Sequence, residues 1–331
     1  MSTPFPSLAA GTTNRLARAV PLGAALRSLL LHTWHRIALA TVRASFALTS
    51  TGSGRYAALR AFLRNPSAMA GVLLLLGMLG LALAAPLLYP GDPLDMVTTP
   101  LLWPGQDAAF PLGSDSMGRD VTAGIAHGAR ISLIIGVVAA LLSLLIGILV
   151  GATAGYFGGH VDDILMRITE LFQTMPSFLF VIVVVAIGQP SVPVIVLAIG
   201  LASWPLIARL VRAEFRALRE TEFVLAARSQ GFGHLRIILQ EMLPNALPPV
   251  IVTTSVLVAS AILIESALSF LGMGDPNAVS WGSMIGEGRE LLRTAWYLTA
   301  LPGAAIVLTV LALNMVGDGL NDAFNPRLRG Q

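Results

Sequence analysis

Long apolar segments separated by short polar stretches dominate the pattern of hydrophobic and polar positions along this chain. A helix needs about 20 residues to cross a hydrocarbon layer of roughly 30 Å. Six segments have about this length: Ala68–Tyr89, Ile131–Ala154, Ile164–Ile187, Val192–Leu210, Leu247–Leu271 and Ala295–Val316. The pattern therefore predicts an all-α, polytopic membrane protein with six transmembrane helices and both ends on the same side.

The distribution of arginines predicts the orientation of these spans. Positively charged residues concentrate in the cytoplasmic loops of membrane proteins. If the N-terminus is cytoplasmic, 17 of the 21 basic residues face the cytoplasm, and four face outside: Arg119, Arg130, Arg289 and Arg293. We therefore expect both termini to lie in the cytoplasm.

The first 65 residues differ from the rest of the chain in their charge. Their most apolar part, Ala24–Leu48, is interrupted by arginines at Arg27, Arg36 and Arg43, so no cleavable signal is evident. A basic amphipathic helix on the cytoplasmic membrane face and an irregular tail are both compatible with this composition. We expect residues 1–65 to form a cytoplasmic extension and residues 66–331 to form the transmembrane domain.

The composition excludes several classes of function. Hydrophobic residues make up 55% of the chain and charged residues 12%, against about a quarter charged in soluble proteins. All 21 basic residues are arginine, whereas a phosphate-binding P-loop requires a lysine. The chain has no cysteine, and its five histidines lack the spacing of a metal site. We therefore expect a transport protein rather than an enzyme, with no cofactor of its own and with any ATP-derived energy supplied by a partner.

Two features inside the spans predict how the helices pack. Small residues recur at or near helical spacing in the second span, at Gly136, Ser143, Gly147 and Gly151. In lipid, such residues allow helix backbones to approach closely. Pro176 in the third span predicts a kink.

The polar segment Glu220–Asn245 separates the fourth and fifth predicted spans. Phe223, Ala226, Ala227 and Gln230 are spaced to share one face of a short helix. Three residues that interrupt helices follow: Gly231, Gly233 and Pro244. The segment therefore predicts a short helix, a sharp turn, a second helical stretch and a new element starting at the proline.

This segment resembles the cytoplasmic coupling loop of binding-protein-dependent ABC importer permeases. The family pattern, Glu-Ala-Ala followed by a spaced Gly and a later Leu-Pro, is matched at Ala226, Ala227, Gly231, Leu243 and Pro244. Leu225 stands where the family has glutamate, Glu241 stands at an apolar position, and Glu222 is a candidate replacement for the lost charge. The resemblance implies that the loop, residues 213–245, docks on an ATPase subunit through the matched residues together with Glu222 and Phe223.

A second resemblance lies in the predicted external loop, residues 90–128. Residues 111–120 match a signature of the dipeptide, oligopeptide and nickel branch of these permeases at Leu112, Gly113, Asp115, Gly118, Arg119 and Asp120. The segments Glu265–Gly274, Ser280–Glu290 and Gly317–Arg329 resemble the same branch. The chain is similar to its C-type subunits, of the DppC/OppC type. The resemblance implies that residues 90–128, which include the signature, and residues 272–293 receive substrate from an extracytoplasmic binding protein.

Glu265 is an ionisable residue within the fifth predicted span. Such residues are costly in a membrane and often functional. Two interpretations are open: a carboxylate that lines the translocation path, and a structural carboxylate hydrogen-bonded to a neighbouring helix.

The resemblance also implies a complete assembly. It predicts a type I ABC importer permease fold in a bacterial cytoplasmic (inner) membrane, paired with a homologous B-type permease. Two ATPase subunits would hold ATP and Mg²⁺, and the cargo would be a di- or oligopeptide. Nickel, glutathione or another small solute is an alternative cargo. A self-sufficient secondary transporter is the alternative outside this class, although no internal repeat supports it.

Overall fold

The computed structural model describes residues 59–324, so almost all of the predicted N-terminal extension lies outside the described residues. The described chain forms nine main helices and no β-strand: α1 Pro66–Leu88, α2 Val121–Phe157, α3 Gly159–Thr174, α4 Ser177–Gly188, α5 Val192–Arg219, α6 Glu222–Ser229, α7 His234–Phe270, α8 Trp281–Gly288 and α9 Tyr297–Phe324. Five are long and apolar enough to cross a membrane, and α3 with α4 adds a sixth crossing if the bent pair is one span. The all-α prediction is confirmed.

Helices α2 and α5 pack closely and run in the same direction. The Ser143 hydroxyl donates to the Gly200 carbonyl at 3.0 Å. A Cβ atom added at Gly147 would lie 2.6 Å from the Ile207 Cβ, and one added at Gly155 would lie 2.6 Å from the Phe215 Cβ. The predicted close approach at small residues is therefore confirmed, because any larger side chain would separate the helices.

The predicted third span, Ile164–Ile187, is not one straight helix. Helix α3 ends at Thr174, α4 begins at Ser177, and the two are bent by 82°. Pro176 lacks a backbone N–H and favours an extended conformation at the residue before it. Met175 has φ −91° and ψ 135° accordingly. The kink was predicted, but the proline breaks the span completely.

The bent pair nevertheless connects opposite ends of the helical bundle. Helix α2 ends beside the last turns of α5, where α6 also lies, and we name this the α6 end. The backbone N–H of Val192, at the start of α5, donates to Asp275 at 3.0 Å, and Asp275 lies between α7 and α8 at what we name the α8 end. Helix α4 alone is 12 residues long, about 18 Å, and is too short to cross a bilayer. Together α3 and α4 therefore make one broken crossing, and the described chain crosses the bundle six times.

Helix α7 is continuous through the proline that was predicted to start a new element. A π-helical turn, Ile237–Met242, precedes Pro244, and the Leu243 N–H bonds to the Ile238 carbonyl five residues earlier. The wider π-helical turn allows the helix to continue into Pro244, whose nitrogen has no hydrogen to donate to an earlier carbonyl. An α-helix therefore starts at Leu243 with Pro244 in its first turn, as predicted, and the π-helical turn joins it without interruption to the segment from His234.

Candidate functional site

The turn after α6 has a specific hydrogen-bond pattern. Gly231 adopts φ +79°. Its N–H donates to the Arg228 carbonyl at 3.0 Å, and the Phe232 N–H donates to the Ala227 carbonyl at 3.1 Å. This pair of bonds is a Schellman motif, which favours glycine at the left-handed position. The predicted helix and sharp turn are therefore confirmed, and Gly231 sets the direction in which α6 is presented.

The two sides of α6 differ in burial. Val224 and Ala227 are buried against the bundle, whereas Phe223 and Leu225 are 41% and 45% exposed. The face predicted to contain Ala226 and Ala227 together is therefore divided, since Ala226 is exposed and Ala227 points inward. Val224 anchors α6 together with Ala227, and it was not among the predicted coupling residues.

We define the coupling surface as the exposed residues Glu222, Phe223, Leu225 and Ala226. Its members lie on one short helix that belongs to none of the candidate membrane spans. Neighbouring apolar side chains that remain exposed outside a span are typical of protein docking sites. Of the other predicted coupling residues, Leu243 is half-buried and Pro244 is exposed, and both lie in α7.

The last turn of α2 contacts the coupling loop through an aromatic residue. The Tyr156 hydroxyl lies 2.7 Å from Nδ1 of His234, and Tyr156 is only 4% exposed. The Arg228 guanidinium lies 5.3 Å from the centre of the Tyr156 ring, a cation–π contact. Tyr156 was not among the predicted coupling residues, and its signal in the sequence is a pair of aromatic residues, Tyr156 and Phe157, ahead of two glycines.

At the α8 end, most of the signature residues hold the conformation of their own loop. Gly113 and Gly118 have φ of +80° and +81°, and added side chains would collide with the carbonyl oxygens of other residues in the loop. The Asp115 carboxylate accepts N–H groups from Met117 and Arg119 at 2.7 and 2.8 Å. Asp120 caps α2 by accepting the N–H of the second helical residue at 2.7 Å. The signature therefore fixes the loop backbone.

Arg119 is the charged signature residue whose side chain pairs with a residue of a helix outside the loop. Its guanidinium lies 3.4 Å from the Glu287 carboxylate on α8 and 3.9 Å from Asp115. Burial raises the pKa of Glu287 above its ordinary value, Arg119 partly offsets that rise, and the negative charge of Asp115 adds to it. The pair joins the loop to α8.

A cavity of about 320 Å³ opens beside this pair. Its lining combines charged residues of both signs with apolar ones, among them Asp115, Arg119, Asp120, Asp275, Glu287 and Arg289. This size is within the range of small-ligand sites. The cavity brings the predicted external signature together with the segment after α7.

Glu265 lies inside the packing of the chain, with 1% of its surface exposed. Its carboxylate accepts from the hydroxyl of Ser269 at 2.8 Å, of Ser132 at 3.4 Å and of Ser266 at 3.5 Å. The Ser132 oxygen also accepts the backbone N–H of Trp281 at 3.3 Å. Glu265 therefore joins α2, α7 and α8, and this geometry favours the structural interpretation over a path-lining one.

Comparison with known proteins identifies the family. A family model described as the binding-protein-dependent transport system inner membrane component matches residues 143–330. A second model, described as the N-terminal TM domain of oligopeptide transport permease C, matches residues 56–104.

Similar chains and a similar fold extend this match. The di/tripeptide transport system permease protein DppC of Pseudomonas aeruginosa is 39% identical over 276 residues, covering 82% of this chain and 91% of the relative. A probable peptide ABC transporter permease protein of Sinorhizobium fredii is 40% identical over 295 residues, covering 88% and 98%. A chain of the inward-facing MetNI methionine ABC transporter aligns with a TM-score of 0.50 at 18% identity, covering 61% of this chain and 97% of that one. The chain therefore belongs to the binding-protein-dependent ABC importer permeases, multi-pass membrane subunits that work with the other components of an ABC transporter.

Proposed function

We propose that this chain is the C-type permease subunit of an importer of di- and oligopeptides in a bacterial cytoplasmic membrane. The cargo is proposed because two relatives with 39% and 36% identity, covering about four-fifths of this chain, are named as di/tripeptide and dipeptide permeases. The α6 end faces the cytoplasm in this proposal, consistent with the arginine distribution. The chain forms half of the translocation path, and a homologous B-type permease forms the other half.

The coupling surface is the proposed contact with an ATPase subunit. The observation that carries this assignment is a short helix outside the spans that exposes Phe223, Leu225 and Ala226 while Val224 and Ala227 anchor it to the bundle. Two ATPase subunits bind ATP and Mg²⁺, and their closure displaces α6. The spans then change between inward-open and outward-open states, because ATP favours one of the two.

The α8 end is the proposed receiving face for an extracytoplasmic binding protein. The loop held by Gly113, Asp115, Gly118 and Asp120 presents Arg119 beside the charged cavity. Charged groups at such a surface steer and orient a partner. Cargo released by the binding protein then enters the path between the two permeases.

Uptake measurements test the cargo and the energy source. The purified complex in proteoliposomes, with its binding protein, should accumulate a labelled dipeptide only when ATP is supplied to the ATPase side. Competition by nickel or glutathione, with no competition by peptides, would assign the chain to the alternative cargo within the same architecture. Uptake by this chain alone, driven by an ion gradient without ATP, would replace the importer assignment with secondary transport.

Replacing Gly231 with arginine is expected to abolish peptide uptake without preventing membrane insertion. The position has φ +79°, which costs a non-glycine residue about 1–2 kcal/mol, so the turn and the direction of α6 change. Gly231→Asn, which tolerates this conformation better, should retain more uptake. Gly233→Ala is the control, because Gly233 has φ −64° and open space around it. Normal uptake by Gly231→Arg, with normal ATPase binding, would defeat the assignment of this turn.

A further inference from the structure

Helix α2 reaches from the coupling loop to the opposite end of the bundle. It contains 37 residues and no proline, from Val121 to Phe157. At 1.5 Å per residue its length is about 55 Å. A helix of this kind moves largely as one body, so a displacement at one end also moves the other.

At the α6 end, Tyr156 touches the coupling loop on both sides of the Gly231 turn. Arg228, the residue over its ring, precedes the turn, and His234, its hydrogen-bond partner, follows the turn. The Tyr156 and His234 rings meet edge to face, with their centres 5.6 Å apart. Because Tyr156 is buried and held from two directions, a movement of the turn is transmitted to the last turn of α2.

At the α8 end, the same helix contacts α8 closely. A Cβ atom added at Gly128 would lie 3.1 Å from the Trp281 ring, and one added at Gly124 would lie 2.9 Å from the Met284 methyl carbon. Ser132 bonds to both Glu265 and the Trp281 backbone. The first part of α2 therefore packs directly against α8, which contains Glu287 and borders the cavity that Arg119 and Glu287 line.

We propose that α2 transmits the movement of the coupling loop to the cavity at the α8 end, and that the Tyr156–His234 hydrogen bond is its connection to the loop. This inference rests on the proposed function. It makes Tyr156 and His234 positioning residues, which act through α2 and touch neither cargo nor nucleotide.

Coupling between ATP hydrolysis and transport tests this connection. In the complete reconstituted complex, Tyr156→Phe and His234→Leu should lower the peptide transported per ATP hydrolysed by at least about threefold, within the range of coupling changes known for single substitutions. Assembly and ATP hydrolysis should remain near wild type. His234→Asn, whose amide can replace Nδ1 as the hydrogen-bond partner of the Tyr156 hydroxyl, should restore much of the ratio. His160→Leu, a change at an exposed histidine in α3, serves as the matched control.

A distance measurement at the α8 end supplies a readout that loss of stability would not mimic. The chain contains no cysteine, so spin labels can be placed uniquely at the exposed positions Ala109 and Asn277. In the wild-type complex the distance distribution between the labels should change on adding ATP, and in Tyr156→Phe that change should be reduced.

An unchanged transport ratio in Tyr156→Phe, or an unchanged ATP response of the label distance, would overturn the inference. Failure of the wild-type complex to take up any peptide would instead overturn the proposed function, and the label distances would still report whether α2 connects the two ends.

Discussion

Substituting Ala226 with arginine is expected to separate the permease from its ATPase subunits. Ala226 is exposed at the centre of the coupling surface, beside Leu225 and Glu222. Enclosing a bulky arginine side chain at the centre of a docked interface costs about 2 kcal/mol or more, as for other central interface positions. That cost corresponds to at least about a 30-fold loss of affinity. Peptide uptake should therefore fall, and the amount of ATPase recovered with the affinity-purified permease should fall with it.

Ala109→Arg is the matched control for this experiment. It introduces the same side chain at an exposed alanine in the loop at the α8 end, and it should leave ATPase recovery unchanged. Full ATPase recovery with Ala226→Arg would show that the coupling surface is not the docking site.

Substituting Glu265 with leucine is expected to destabilise the protein rather than to alter its choice of cargo. Leucine removes the acceptor shared by Ser132, Ser266 and Ser269. A buried donor that loses its partner costs about 1–3 kcal/mol. The apparent unfolding temperature in detergent should drop, and α8 should become more accessible to protease, while the relative uptake of different peptides by the surviving protein stays as in wild type.

Glu290→Leu is the matched control, since the Glu290 side chain is 82% exposed. Its unfolding temperature should equal that of the wild type. If Glu265→Leu kept wild-type stability but changed the KM or the order of preferred peptides, Glu265 would belong to the translocation path and the structural assignment would be wrong.

The coupling loop could be predicted because its signals are local. A helical period starting at Phe223, followed by Gly231, specifies a short helix and a turn of one kind. The orientation of α6 could not be predicted, because Val224 and Ala227 compete with Phe223 and Leu225 for burial and all four are compatible with a buried face. Val224 and Ala227 belong to a buried cluster that also contains Tyr156, Phe215 and Ile237, which lie on three other helices.

The break in the third span could likewise be predicted only in part from local sequence signals. Pro176 predicts a kink, but the bend of 82° depends on packing that the sequence does not display locally. Phe172 contacts Trp204 and Phe180 with ring centres 5.2 and 5.8 Å apart. Asp162, in the first turn of α3, forms a two-point ion pair with Arg212 at 2.5 and 2.6 Å. The partners are 50 residues apart, so hydrophobic periodicity gives no sign of the pair.

The functional groups at the α8 end were partly visible. The signature from Gly113 to Asp120 was found as a motif. The sequence did not show that most of its residues fix the loop backbone, which depends on the φ angles, or that the Arg119 side chain pairs with Glu287. Glu265 was found because a carboxylate in an apolar span is conspicuous. Its interpretation required the serines of α2 and α7, which are individually unremarkable in sequence.

The proposed importer mechanism requires that α6 lies in the cytoplasm and is covered by an ATPase subunit. The absence of native cysteine allows a direct test with Ala226→Cys and a membrane-impermeant maleimide, with Ala109→Cys as the control of opposite orientation. We expect Ala226→Cys to be labelled in inside-out vesicles stripped of ATPase, to be protected when the ATPase subunits are added back, and to stay unlabelled in intact cells, where Ala109→Cys reacts. Labelling of Ala226→Cys from outside intact cells would contradict the cytoplasmic position of α6.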